Sequence, residues 1–295
     1  MEASQDKKSQ MERVRQSIFR IKTLSGMPQV VWQLMQVLSD ENASVGALAK
    51  VIESDPALAS KVLSLANSAY YGFSGAITTV ERASVIIGLQ EMQMLALGAG
   101  LADSFDIKKV PPEFDGEAFW VHCWAVSSLA HVLAAAARYP VPGEAMIAGL
   151  LHDVGKLVLA THLGELFNQV LEKERQGMPF YQAEEELGVQ HELAGFWLAQ
   201  RWQLPEVYVE AIRQHHDPSP DGPHREITAL VCLADVTAKR LGFGLAQQAR
   251  EVNLKDLLQA VNLDESKFKQ AVEQARVDIP PMTDKMLNLM KGAEQ

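Results

Sequence analysis

Helix boundaries recur from one end of this 295-residue chain to the other, and almost no stretch alternates apolar and polar residues with the two-residue period of a half-buried strand. A chain punctuated this way folds as helices packed on helices, so the expected class is all-α. Asp55-Pro56 is a capping carboxylate followed by proline at the first helical position, and Thr78 with Glu81 matches the Ser/Thr-x-x-Glu capping box. Gly177-Met178-Pro179 ends one helix and opens the next, and Leu204-Pro205 repeats the proline start. The pattern predicts helices near 11–22, 28–39, 44–53, 56–68, 79–88, 90–103, 114–138, 142–153, 155–175, 179–187, 190–202, 205–215, 226–240, 254–261, 263–276 and 283–291.

Charge and cysteine content narrow the classes of function. Lys and Arg total 27 against 37 Asp and Glu, a net charge of -10 that opposes broad binding to nucleic acid or to an anionic membrane surface. Cys123 and Cys232 stand far apart with no CxxC, which points away from a disulfide framework or a thiolate zinc cluster and fits a reducing, cytoplasmic location. The first residues lack the apolar stretch of a secretory signal. From Phe119 to Ala137 no Asp, Glu, Lys or Arg occurs, but His122, Ser127, Ser128 and His131 do, so a buried helix is expected there and no membrane insertion.

The segment from Asp106 to Glu113, with Pro111 and Pro112, interrupts the helical pattern and divides the chain. The expected organisation is a polar N-terminal leader over 1–21, a helical lobe over 22–108, a second helical lobe over 109–245, and C-terminal helices over 246–295 packing on the core. All eight histidines lie between His122 and His224, so any imidazole chemistry belongs to the second lobe.

The informative run there is Gly149-Leu-Leu-His152-Asp153-Val-Gly-Lys156, apolar sequence interrupted by an imidazole, a carboxylate and an amine. Neighbouring residues on a helix point about 100° apart, so His152 and Asp153 reach one metal ion only if it sits against the helix side and other elements complete its shell. A buried His–Asp hydrogen bond beside an exposed lysine is the plainer reading. Further ligand-type residues occur within or beside apolar sequence: His122 on the long helix, His191 at a helix start, His215 and His216 after the Pro205 helix, and Asp235 in Leu233-Ala-Asp-Val. Any one of these alone is usually a satisfied core residue, but together they make a converging site the better account.

At this point the residues resemble a family. His122, His152-Asp153 and Asp235 follow the H…HD…D pattern of the HD-domain metal-dependent phosphohydrolases, and His191, His215 and His216 are similar to the second-metal ligands of the HD-GYP branch. The chain as a whole resembles the HDOD proteins more closely. That likeness is carried by Met27-Pro28, Ser54-Asp55-Pro56, the run from Val62 to Tyr71, Ala83 to Leu89, Phe119-Trp-Val-His122 and Gly149 to Lys156.

The resemblance implies a multi-helical, two-lobed HD-superfamily fold and a bacterial signal-transduction module acting as an output or interaction element, with regulatory protein partners or a nucleotide messenger and a homodimer left open. It further implies a dinuclear centre, with His122, His152, Asp153 and Asp235 on one divalent transition-metal ion and Asp153 bridging to a second held by His191, His215 and His216. This mixed imidazole and carboxylate set suits iron, manganese or zinc rather than magnesium or calcium, with iron or manganese the expected metal. The alternative is a metal-dependent phosphohydrolase or phosphodiesterase acting on a nucleotide or phosphoester, with Asp153 and Lys156 as its catalytic residues and Lys156 neutralising phosphate oxygens. The Gly-Tyr-Pro motif expected after the paired histidines is replaced by Asp217-Pro-Ser-Pro-Asp-Gly-Pro-His224, which argues against cyclic di-GMP hydrolysis.

Other features carry less. Gly98-Ala-Gly100 lacks the strand and third glycine of a dinucleotide fold, and Cys123 beside His122 points to another helix side. Trp120, Trp124, Trp197 and Trp202 read as core, His131 as core, His162 as solvated or capping, and His224 as surface. Tyr70 to Gly75 is an inter-helix loop open to a packing or a recognition role.

Overall fold

The computed structural model describes residues 2–22, 26–40, 44–67, 76–105, 110–218, 221–245, 247–248 and 250–292; among them the chain is helical and contains no strand. The Tyr70 to Gly75 loop and residues 106–109 of the interlobe break lie outside the described residues. The first lobe comprises α2 (Gln29–Leu38), α3 (Val45–Glu53), α4 (Pro56–Ala66), α5 (Val80–Ile87) and α6 (Leu89–Ala102).

Side-chain caps open these helices where the sequence places them, with one shift. Ser44 accepts from Ala47 N at the start of α3, and Asp55 accepts from Ala57 N and Leu58 N, each at 3.0 Å, at the start of α4. A cap of this kind stabilises a helix by about 1 kcal/mol. For α5 the cap is Thr79, one residue later than the capping-box reading, because Thr79 is the residue with extended backbone and its hydroxyl reaches Arg82 N. Asn67, just past α4, donates to Ile77 O and accepts from Ile77 N, so it ties the two ends of the intervening segment together.

The second lobe is built round α7 (Gly116–Ala137), capped by Asp115. This helix is long and apolar enough to cross a membrane by length and composition, yet 72% of its apolar window is buried inside the protein. Its neighbours are α8 (Pro142–Leu151), α14 (Arg225–Arg240) and α16 (Glu265–Gly292). Gly149 lets α8 approach α7 closely, since a Cβ there would meet Val126 O and Ser127 Cα at 2.9 Å. The other members are α9 (Val154–His162), α10 (Gly164–Arg175), α11 (Phe180–Leu187), α12 (His191–Arg201), α13 (Glu206–Gln214) and α15 (Leu254–Ala260). All four tryptophans singled out from the sequence are buried core residues.

Two helix boundaries differ from the expectations. The single helix predicted over 155–175 is divided at Leu163, where the chain bends by 114° and carries Phe167 and Phe180 into contact with one another and Phe167 onto Phe114. Conversely, the break predicted near 277–282 is absent, and α16 runs through Pro280 and Pro281. Proline in a helix interior costs about 3 kcal/mol. Burial of Ile279, Met282 and Met286, on a helix that packs against α7, offsets that cost. The polar start of the chain is α1 (Glu2–Arg20), which buries Val14 and Ile18 and packs on α12 and α11. Arg201, the last residue of α12, donates to Ile18 O and Ile21 O and so holds the end of α1.

The contact that positions the site is a crossing of α9 and α12 at backbone distance. A Cβ on Gly155 would overlap His191 O and lie 2.6 Å from Gly195 N, and one on Gly195 would lie 2.7 Å from Ile212 Cγ2. Because a backbone carbonyl cannot give way as a side chain can, Gly155→Ala is expected to destabilise the fold by about 3 kcal/mol or more, measured as a lowered midpoint in urea unfolding. A midpoint within error of the parent would show that the two helices do not need this approach.

Candidate metal centre

Seven metal-ligand-type side chains from five places in the second lobe meet in its interior. The His152-Asp153 pair occupies the turn between α8 and α9. On a continuous helix the two would diverge; at the turn His152 Nε2 lies 3.3 Å from Asp153 Oδ2. The middle of α7 contributes His122, the first residue of α12 is His191, His215 and His216 follow the end of α13, and Asp235 comes from the buried face of α14. His122, His152, Asp153, His191, His215 and Asp235 are all at most 1% exposed.

The tautomers follow from the partners. A carbonyl oxygen only accepts, so His152 Nδ1–H donates to Gly149 O at 2.7 Å, His215 Nδ1–H to Ile212 O at 2.8 Å and His122 Nδ1–H to Phe243 O at 3.3 Å. His191 Nδ1–H donates to the Glu184 carboxylate at 2.7 Å. Each of these four rings therefore turns its Nε2 inward. The Nε2 atoms of His122 and His152 lie 3.3 Å apart, as do those of His191 and His215, and His216 Nε2 lies 3.2 Å from His191 Nε2. Asp153 Oδ1 and Asp235 Oδ1 are buried and have no hydrogen-bond partner among the described residues.

Inward-facing ring nitrogens and orphaned carboxylate oxygens are an unfavourable arrangement for protein alone and the donor set that divalent transition metals take. Two groups that share Asp153 have ligand atoms within 4.8 Å of one another, namely His122, His152 and Asp153, and Asp153, His191, His215 and His216; a third such group is Glu184, His191 and Glu192. Asp235 spans the two that share Asp153, with Oδ1 3.0 Å from His122 Nε2 and Oδ2 3.4 Å from His216 Nδ1. The structure thus brings together all seven residues selected from the sequence. His131 joins none of these groups, and His162 Nδ1 is engaged by Thr161 Oγ1 at 2.7 Å.

Lys156 is buried, contrary to the plainer reading of an exposed helix-end lysine. Its ammonium donates to Asp153 Oδ2 at 2.7 Å and Gln247 Oε1 at 2.8 Å and lies 5.1 Å from the Phe180 ring. Burial disfavours charge on Asp153, but His152 and Lys156 outweigh it and hold the carboxyl well below the usual range. Asp235 is likewise held low against its burial, chiefly by Lys239, whose Nζ is 2.8 Å from Oδ2. Burial works against a proton on His191, and the carboxylates of Glu184 and Glu192 reverse the balance, raising its pKa to about 9. His215, with burial dominant, falls to about 4. A proton and a metal ion compete for His191 Nε2, so loading is favoured as pH rises.

Several residues that shape the centre were not singled out from the sequence. Glu184 sits in the acidic run Glu184-Glu-Glu186, which reads as a solvated face, yet it is fully buried under His191. Lys239 had a signal, its i,i+4 spacing from Asp235. Gln247 and Arg250 had none; Arg250 reaches back to Glu192 Oε1 at 2.7 Å.

The HDOD domain family matches residues 24–218, which is more than half of the chain. The chain belongs to the HDOD family. Among solved structures, the HDOD chain is similar to an HDOD domain protein of unknown function from Geobacter sulfurreducens, at 24% identity and a TM-score of 0.76, covering 96% of this chain and 98% of that one. It is also similar to a provisionally assigned signal transduction protein from Marinobacter aquaeolei, at 24% identity and a TM-score of 0.74, covering 98% and 67%. A third likeness is to a provisionally assigned phosphohydrolase from Shewanella amazonensis, at 22% identity and a TM-score of 0.68, covering 94% and 97%. At these identities the three share the fold. The HDOD chain is 26% identical over 230 residues to a Treponema pallidum protein, of whose length it spans 43%.

Because Glu184 fixes the ring of His191 and its free nitrogen, Glu184→Ala is expected to weaken manganese binding by about 10- to 100-fold, read by titration of the folded variant. Unchanged affinity would remove His191 from the ligand set.

Proposed function

We propose that this HDOD chain is a bacterial signal-transduction protein whose second lobe holds two divalent transition-metal ions, iron or manganese, and acts there on a phosphoester. One observation carries the reading: inward-facing Nε2 atoms and two orphaned aspartate oxygens converge in a buried interior. Such a pair of ions supplies charge stabilisation at phosphoryl oxygens and a more acidic water. His122, His152, Asp153 and Asp235 are the residues for one ion, and Asp153, His191, His215 and His216 for the other. Lys156 and Lys239 keep the two aspartates charged and aimed, and Glu184 sets the tautomer of His191. Turnover depends on Asp153 and on Lys156.

A second reading is favoured by a specific feature. Lys156 already gives hydrogen bonds to Asp153 and Gln247, and the Gly-Tyr-Pro motif after the paired histidines is missing, which suits a centre that binds metal and a regulatory partner or nucleotide messenger in the cytoplasm without hydrolysis. Elemental analysis of anaerobically purified protein is expected to find about two ions per chain; no bound transition metal and no uptake on reconstitution would end both readings. A screen of phosphoesters with iron or manganese, using Asp153→Ala as control, separates them. Turnover that disappears in the control supports the hydrolase, and metal-loaded protein inert on every phosphoester supports the binding module.

A further inference from the structure

A cavity of about 490 Å³ opens on the metal centre beside His216, between the start of α12 and the end of α13. Its charged or titratable lining residues are Glu192, Arg213, His216, Asp217 and Arg250, with Glu192 already paired to Arg250. Two guanidinium groups from different parts of the chain therefore stand at a cavity that reaches a candidate ligand.

The charge of the centre says what such a cavity is for. Each buried carboxylate already has a cationic partner from the protein: Asp153 has Lys156 at 2.7 Å, Asp235 has Lys239 at 2.8 Å, Glu192 has Arg250 at 2.7 Å, and Glu184 has His191. Divalent ions added to this arrangement bring more positive charge than these carboxylates leave unpaired, in an interior where unpaired charge is costly. An anionic ligand offsets that excess.

Arg213 and Arg250 are equipped to receive more of it. The ion pair of Arg213 with Glu210 is long, 3.6 Å, its side chain is 48% exposed, and its guanidinium lies 5.1 Å from the Phe196 ring, which steadies its plane. Arg250 lies over the Tyr181 ring, and its Nε is buried without a hydrogen-bond partner among the described residues. Planar, oriented guanidinium donors match the tetrahedral oxygens of phosphate.

We propose that this cavity is a second anion subsite, in which Arg213, supported by Arg250, binds a phosphate of the ligand other than the one that meets the metal centre. The ligand class is then a molecule with two phosphate groups or a phosphate and a phosphodiester. The inference rests on the metal-centre reading given above.

The test compares propane-1,3-diyl bisphosphate with propyl phosphate by calorimetry on the full, manganese-loaded chain. The parent is expected to bind the bisphosphate at least about tenfold more tightly than the monophosphate, in line with one charge-assisted phosphate contact. Arg213→Ala is expected to abolish that preference, and Arg213→Lys to retain part of it, with manganese affinity the same in all three. A preference unchanged in Arg213→Ala while manganese still binds overturns the subsite alone. Failure of the parent to take up manganese overturns both this inference and the reading beneath it.

Discussion

Burying the carboxylate of Asp153 is the constraint around which the second lobe is organised. A bare carboxylate in a helical interior is strongly disfavoured, so this one must be surrounded by cations and donors. Lys156 comes from the next turn of the same chain segment, His152 from the preceding residue, and His191 from a helix brought to backbone contact by Gly155. The helix junction between Leu151 and Val154 is what allows adjacent His and Asp side chains to face one point. Asp235 repeats the arrangement with Lys239 on α14.

Much of this was legible in the sequence, for a physical reason. A histidine or aspartate in an apolar run has few ways to be satisfied, and seven of them confined to one lobe narrow those ways further. Helix starts were legible at Asp55, whose carboxylate caps α4, and to within one residue at Pro205, because both signals are local. What could not be read was set by tertiary contact. Glu184 looks like its exposed neighbours Glu185 and Glu186, and only the placement of His191 over it makes it a buried partner. Pro280 and Pro281 carry a local signal to stop a helix, which packing of Ile279, Met282 and Met286 overrides. Gly155 reads as an ordinary helix residue until the carbonyl opposite it is known.

The lobes are joined by elements that cross their boundary in sequence. The C-terminal helix α16 contacts α7 of the second lobe and α4 and α6 of the first. At the other end, α1 precedes the first lobe in sequence yet packs on α12 of the second. Ser39, just after α2, shares a hydrogen bond of 2.6 Å with Tyr208 of α13, a further tie between them.

Helix α12 is held at both extremities by unlike partners. Its final residue, Arg201, grips the carbonyls that end α1, and its first, His191, faces the shared aspartate. An α-helix rises 1.5 Å per residue and is stiff over a span of roughly 15 Å. With Gly155 as the close contact near one end, a single stiff body sets both where α1 ends and where the His191 imidazole sits.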